Sequence, residues 1–96
     1  MILSFGDKAT ADFFHGRNTQ RARALVPTSL RRRALARLEV LTLAASLDDL
    51  KVVPGYQLEA LLGNLKGFWS IRVNEQFRVI FRWDHGASDV RILDYH

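Results

Sequence analysis

The alternation of apolar and polar residues in the second half of the sequence restricts the fold more than any other feature. Every second residue is apolar in GFWSIRVN (67–74) and QFRVIFRW (76–83), and QLEALLG (57–63) and DVRILDY (89–95) also fit this period. A period of two is typical of a β-strand with one buried face. The pattern therefore predicts four strands, joined by short turns into an antiparallel sheet.

The first half of the sequence has a helical period instead. GDKATADFFHG (6–16) predicts a short helix, with Asp7 as its N-cap and Gly16 at its end. A longer helix follows Pro27, and its predicted sheet-facing stripe is Leu30, Ala34, Leu38, Leu41 and Ala45, with Arg32, Arg33 and Arg37 in solvent. MILSF (1–5) predicts a first short strand. Helices followed by antiparallel strands indicate an α+β fold, and 96 residues predict one domain, 1–96.

The apolar faces of the two central strands predict their register. Directly paired residues in an antiparallel ladder point to the same face of the sheet. A three-residue turn at 74–76 pairs Val73 with Phe77 and Ile71 with Val79, which keeps both apolar faces on the core side. A two-residue turn would mix the faces, so the longer turn is expected.

The same register places Arg72 directly opposite Arg78 on the polar face. Arg82 lies further along this face, opposite Phe68. Two arginines paired in this way repel each other. Either these exposed strand positions tolerate any charge, or the arginines form a clamp for a bound anion such as phosphate.

The charged residues favour a phosphate-bearing partner. Lys and Arg total 14 against 10 acidic residues, and eleven of the 14 are Arg, whose planar fork suits phosphate oxygens. A small basic protein of this kind most often binds nucleic acid, with an acidic protein as the second choice.

The other composition features mainly exclude classes of protein. The chain has no Cys, which removes disulfides, thiolate zinc sites and Cys nucleophiles. Its three His show no metal-binding spacing, so no metal or other cofactor is expected. No apolar run approaches the roughly 18 residues of a membrane span, and the N-terminus does not read as a signal peptide. A cytoplasmic protein is therefore expected.

The sequence ends in Asp94, Tyr95 and His96, three side chains that can all exchange protons. Combined with the paired arginines, this ending suggests chemistry on a phosphodiester. PGYQLEALLGNLKGFWSIRVNEQFRVIFRW (54–83) followed by this DYH resembles the HigB branch of the RelE-like toxins. MILSFGDKATADFF (1–14) is similar to the N-terminus of that family, so the resemblance covers essentially the whole chain.

The resemblance implies a ribosome-dependent endoribonuclease that cuts mRNA in the ribosomal A site and is neutralised by a HigA-like helix-turn-helix antitoxin. It also implies a twisted antiparallel sheet with two N-terminal helices packed on one face. The functional positions it implies are Arg78, Tyr95 and His96, with Asp94 beside them and Glu59 on the first strand. Leu62 stands where many members have Lys, and Lys66 or Arg72 could supply that cation.

RNA carries its own nucleophile, the 2′-hydroxyl next to the scissile phosphate. Arg78, with Arg72, is the expected clamp on the developing phosphorane charge. His96 is expected to be the general acid and Glu59 the general base, with Tyr95 stacking on a base or orienting the phosphate. Further RNA phosphate contacts are expected at Lys66, Arg82, Arg32 and Arg33.

Three alternatives use the same basic surface without catalysis. A non-catalytic RNA- or ribosome-binding domain would bind RNA in a salt-sensitive way but give no 2′,3′-cyclic phosphate product. A DNA-binding regulator would need a helix with polar residues for base edges, whereas the arginine-rich helix here suits backbone contacts at most. A protein-interaction module would meet an acidic partner. Growth arrest on expression of the chain alone would separate the toxin from all three.

Overall fold

The structure, a computed structural model, describes residues 1–95, and its elements follow the predicted order of helices and then strands. The helices are α1 (Lys8–Phe14), α2 (Gln20–Arg23), α3 (Arg31–Leu43) and α4 (Leu47–Lys51), and the strands are β1 (Glu59–Ala60), β2 (Trp69–Arg72), β3 (Phe77–Trp83) and β4 (Ala87–Asp94). The predicted α+β architecture is confirmed. No helix in this part of the chain is long and apolar enough to span a bilayer.

The four strands form one antiparallel sheet in the order β1-β2-β3-β4. The predicted central register is confirmed, because Ile71 pairs with Val79 and Arg72 with Arg78. The turn between β2 and β3 is held by Asn74, whose Oδ1 accepts hydrogen bonds from the N–H groups of Gln76 (2.9 Å) and Phe77 (2.7 Å). A short polar side chain that bonds the backbone ahead of it is a common way to close such a turn.

Two of the predicted strands are shorter or less regular than expected. In 57–63 only Glu59 and Ala60 pair with β2, because Gln57 has a left-handed backbone (φ 46°) before the strand and Gly63–Leu65 form a 3₁₀ turn after it. MILSF is not a regular strand. Its Ile2 and Phe5 make isolated parallel bridges to β4, so this segment extends the sheet beyond β4.

Helices α1 and α3 both contact β4 from the core side of the sheet, and α3 also contacts β3. This confirms two N-terminal helices packed on one face, and α2 and α4 are additional short helices. The predicted stripe of α3 is confirmed at Ala34, Leu38 and Leu41, which are fully buried. It is wrong at Ala45, because the helix ends at Leu43 and the extended backbone of Ala44 turns Ala44 inward instead.

The buried carboxylate of Asp12 connects α1 to the segment that follows it. It accepts hydrogen bonds from Arg21 Nε (2.6 Å), Thr19 Oγ1 (2.9 Å) and Arg17 Nη1 (3.2 Å). The hydrogen bond from Arg21, reinforced by those from Thr19 and Arg17, lowers the pKa of Asp12 below its ordinary value, although burial acts in the opposite direction. The network therefore favours the ionised carboxylate in the folded state.

We expect the contribution of Asp12 to stability to depend on pH. Because its pKa is lowered by folding, the stabilisation is present above the unfolded pKa of about 3.9 and is lost as the pH falls through the lower folded value. Asp12→Asn should therefore lower the unfolding midpoint at pH 7, and its difference from wild type should shrink below about pH 4. Thermal unfolding between pH 3 and 7 measures this, with the exposed Asp84→Asn as control. A difference that stays constant across this range would contradict the prediction.

Candidate active site

The candidate site lies on the sheet face opposite the core. Ile71 and Val79 belong to the buried core cluster, so their neighbours Arg72 and Arg78 point to the other face by the alternation of strand side chains. β1 and β4 flank the central pair. The two outer strands therefore determine which side chains meet the arginines.

Arg78 is a largely buried charged group of this face, with only 13% of its side chain exposed. Its Nη1 donates to Ser70 Oγ (2.8 Å) and to the backbone oxygen of Gln57 (3.3 Å), and its Nη2 lies 3.5 Å from Gln57 Oε1. Ser70 is itself fully buried. These contacts fix the plane of the guanidinium, which is a condition for directional binding of an anion.

β1 and β4 bring Glu59 and Tyr95 to Arg78. Glu59 Oε1 lies 3.5 Å from Arg78 Nη1, and half of the Glu59 side chain is exposed. The Arg78 guanidinium lies 5.7 Å from the centre of the Tyr95 ring, within the range of a cation–π contact. The N–H of Tyr95 donates to the backbone oxygen of Gln76 (2.6 Å), which anchors the residues after β4 beside the turn that precedes β3.

Arg78 retains donors for a ligand. A guanidinium has five N–H donors, and within residues 1–95 its Nε donates to no protein oxygen while Nη2 makes one long bond. An arginine edge of this kind can bind two phosphate oxygens at once. The site thus combines a positioned cation, a partly exposed carboxylate and an aromatic ring.

Arg72 contributes to the same site, and each of the two paired arginines has a carboxylate near it. Arg72 Nη2 lies 3.9 Å from Glu75, and Arg78 has Glu59. Both arginines line an open cleft of about 220 Å³, which we call the Arg78 cleft and whose other lining residues are Gln57, Asn74 and Glu75.

Arg82 and Lys66 are not part of this cluster. Arg82 pairs with Asp89 (3.3 Å) and lies 4.4 Å over the ring of Phe68, its predicted neighbour. It follows Arg78 by four residues in β3, roughly 13 Å at the rise of a strand. Lys66 precedes β2 and therefore lies at the opposite end of that strand from Arg72. The predicted phosphate-binding residues are thus divided between two ends of the sheet face.

The arginines of α3 differ in their surroundings. Arg32 and Arg33 are exposed as predicted, and Arg33 lines a cleft with residues of the sheet. The prediction that Arg37 faces solvent is wrong. It is half-buried, its Nε donates to the backbone oxygen of Arg72 (2.8 Å), and its guanidinium lies 4.8 Å over the ring of Tyr56.

The remaining predicted catalytic residues are Asp94 and His96. The register pairs Asp94 with Phe77, a core residue, and Asp94 Oδ2 accepts a hydrogen bond from Gln76 Nε2 (3.1 Å). The role predicted for His96 lies outside the described residues. Within 1–95, no three His, Cys, Asp or Glu side chains are grouped closely enough to hold a metal ion.

Gln57 and Ser70 hold Arg78 in place but were not among the predicted site residues. Ser70 could have been found from the alternation of β2, because it lies between Phe68 and Arg72 on the polar face. Gln57 had no such signal, since its position follows from a left-handed backbone after the 3₁₀ turn Pro54–Tyr56. A non-glycine residue in that conformation is uncommon.

Two comparisons with known proteins identify a family for this chain. The family model described as a RelE-like toxin of the type II toxin-antitoxin system HigB matches residues 3–96. The chain is 41% identical to Toxin HigB-1 of Vibrio cholerae serotype O1, over all of this chain and 98% of the relative. It is 28% identical to an uncharacterized protein of Haemophilus influenzae, over 74% of this chain and 70% of that one.

One solved structure is also similar. It is a YoeB/ParE toxin from Agrobacterium tumefaciens, 18% identical, with a TM-score of 0.48 over 96% of both chains. The family model and the Vibrio cholerae relative each span nearly the whole sequence. The chain therefore belongs to the HigB-like family of RelE-like toxins, and as a toxin of a type II system it has an antitoxin partner.

Proposed function

We propose that the protein is a ribosome-dependent endoribonuclease that cuts mRNA in the ribosomal A site and so inhibits translation in the cytoplasm. The observation that carries this proposal is the contact of one buried guanidinium, Arg78, with the carboxylate of Glu59 and the ring of Tyr95. Cleavage by the RNA 2′-hydroxyl needs a base, an acid and a donor for the phosphorane charge. Family membership supports the same reading.

In the first part of the reaction Glu59 removes the proton from the 2′-hydroxyl. The 2′-oxygen then forms a bond to phosphorus, and the negative charge grows on the non-bridging oxygens. The Nε and Nη2 donors of Arg78 bind those oxygens, because they retain hydrogen-bonding capacity in the described chain. Glu59 lies 3.5 Å from the same guanidinium, so base and clamp act on one nucleotide.

In the second part the bond between phosphorus and the 5′-oxygen breaks. His96 donates a proton to the departing oxygen, which leaves a 2′,3′-cyclic phosphate on one fragment and a 5′-hydroxyl on the other. Tyr95 stacks on a base beside Arg78. Asp94 pairs with the core residue Phe77 and so points to the face of the sheet opposite Arg78, and we assign it no proton transfer. Every proton is thereby assigned to a side chain of this protein.

The open shape of the site supports dependence on the ribosome. The Arg78 cleft is open to solvent, and Glu59 is half exposed, so the protein alone provides little to hold a flexible RNA strand in a reactive geometry. Correct positioning accounts for a large part of most catalytic rate enhancements. An mRNA held in the A site would arrive already positioned.

The test is cleavage of mRNA held in a ribosomal A site compared with the same RNA in solution. We expect cutting on the ribosome only, with 2′,3′-cyclic phosphate ends identified by mass spectrometry. Efficient cutting of the dissolved RNA would contradict ribosome dependence. Binding to the ribosome without any cut would instead favour a non-catalytic ribosome-binding domain.

We expect cleavage to survive removal of transition metals, because the proposed reaction assigns both proton transfers and the charge stabilisation to side chains. The assay keeps Mg²⁺ at the level the ribosome requires and adds a chelator selective for transition metals. Unchanged single-turnover rates are expected. A loss of cleavage that Zn²⁺ or Mn²⁺ restores would show that the mechanism needs a metal.

We also propose that the antitoxin is a HigA-like helix-turn-helix protein, on the basis of the family. The gene next to that of the toxin is the place to look for it. Expression of the toxin alone should arrest growth, and co-expression of the adjacent gene should restore it. An adjacent gene that encodes another kind of protein and still restores growth would refute this assignment.

A further inference from the structure

We propose a second site for RNA backbone phosphate, formed by Arg33, Arg37 and Arg72 where the start of α3 meets the end of β2. This inference rests on the proposed function for the identity of the RNA. We call the site the α3 cleft. It is an open cleft of about 500 Å³ lined by Arg33, Arg37, Gly55, Gln57, Arg72, Val73, Asn74 and Glu75.

The α3 cleft is continuous with the Arg78 cleft. The two share Gln57, Arg72, Asn74 and Glu75 as lining residues. A strand whose scissile phosphate lies at Arg78 therefore meets the α3 cleft with an adjoining part of its backbone. This continuity favours RNA over an acidic protein segment as the occupant.

Arg37 is fixed by contacts of its Nε group and of the face of its guanidinium. Its Nε donates to the backbone oxygen of Arg72 (2.8 Å), and its guanidinium stacks 4.8 Å over Tyr56. Within residues 1–95, Nη1 and Nη2 donate to no protein oxygen. An arginine fixed through Nε and its face, with both Nη groups available, is suited to bind phosphate oxygens with little loss of side-chain freedom.

Arg33 has no hydrogen bond or ion pair in the described chain, and it lies in the first turn of α3. That turn contains no acidic residue, although the helix dipole disfavours cations at this end. Three guanidinium groups and one carboxylate, that of Glu75, line the cleft. Glu75 already contacts Arg72 at 3.9 Å. This excess of positive charge is unfavourable for folding and favourable for binding a polyanion.

The first experiment measures binding of a short single-stranded RNA with 2′-O-methyl sugars, which this chemistry cannot cut. Each lost phosphate contact should reduce the slope of log K against log salt by about 0.7 for a single strand. Arg33→Gln with Arg37→Gln should therefore reduce the slope by about 1.4. The control, Lys8→Gln with Lys51→Gln, removes the same charge from exposed positions of other helices and should change the slope much less. Equal slopes for the two double variants would overturn the proposal.

A second experiment separates messenger RNA from ribosomal RNA as the source of the phosphate. Single neutral methylphosphonate linkages are placed at each position of an mRNA held in the A site. If the mRNA occupies the cleft, a methylphosphonate at one particular linkage other than the cleaved one should slow cleavage by the wild type. The same linkage should have no effect on cleavage by the Arg33/Arg37 double variant. If ribosomal RNA occupies it, the double variant should bind ribosomes more weakly and respond to the scan like wild type. Either result supports an RNA site, whereas an effect confined to antitoxin binding would overturn it.

The two proposals can fail separately. Binding of the 2′-O-methyl RNA requires no cleavage, so a wild-type protein that binds through the α3 cleft but never cuts mRNA would refute the proposed function and leave the site intact. Normal cleavage with a salt slope and ribosome affinity unaffected by the Arg33/Arg37 change would refute the site alone. Circular dichroism of the double variant should be measured first, to establish that this variant is folded before either result is interpreted.

Discussion

Replacing Arg78 with Gln should lower the rate of cleavage of ribosome-held mRNA by about a hundredfold or more, the usual effect of losing one donor to developing charge. Arg78 is 13% exposed and held by Ser70 and Gln57, so the variant loses a donor whose position is fixed. Single-turnover cleavage measures the loss. Arg82→Gln removes the same charge from the same strand and face, roughly 13 Å away, and should cost much less.

The same variant should lose a little stability, which reverses what the repulsion between paired arginines had suggested. Arg78 donates to the fully buried hydroxyl of Ser70 at 2.8 Å, and a lost hydrogen bond of this kind typically costs about 0.5–1.5 kcal/mol. The half-exposed contact with Glu59 adds little. A variant with full activity and clearly lower stability would show that Arg78 has a structural role only.

The second large effect concerns the proposed base and acid. Glu59→Gln and His96→Asn should each reduce the cleavage rate by about a hundredfold or more, the usual contribution of a positioned base or acid. Because an acid acts when protonated, His96→Asn should also remove the fall of the rate at higher pH, whereas Glu59→Gln should retain it. The measurement is the pH–rate profile of single-turnover cleavage between pH 5 and 9.

His85→Asn is the matched control for the acid. The His85 side chain is 97% exposed and has a positive φ of 61°, which Asn tolerates better than most residues. It should cut at the wild-type rate. A fall of the rate at higher pH that persists in His96→Asn would show that His96 is not the acid, and a Glu59→Gln variant that cuts at the wild-type rate would show that Glu59 is not the base.

The sheet register could be predicted because the apolar alternation in β2 and the apolar alternation in β3 must share one face of the sheet. The apolar faces of β2 and β3 allowed only a turn that pairs Ile71 with Val79, and this turn also set Arg72 against Arg78. The N-cap of α1 could be predicted for a similar reason. Asp7 accepts the N–H of Thr10 at 2.7 Å, as expected. Such features depend on residues a few positions apart.

The parts that sequence reasoning missed depend on contacts between distant segments. Helical spacing placed Arg37 toward solvent, but the turn that carries Tyr56 lies against this side of α3. Gln57 reaches Arg78 across 21 positions through a left-handed backbone. Neither position follows from a local pattern, so the contacts of Gln57 with Arg78 and of Arg37 with Tyr56 require the tertiary structure.

The pairing of residues 2–5 with β4 has a consequence for the timing of synthesis. Ser4 Oγ accepts the N–H of Asp89, 85 positions later, so this side of the sheet cannot close until the last strand has left the ribosome. Contacts so distant in sequence slow folding. β4 also leads to Tyr95 beside Arg78. A nascent chain thus has no assembled site until β4 has been synthesised and has paired with residues 2–5.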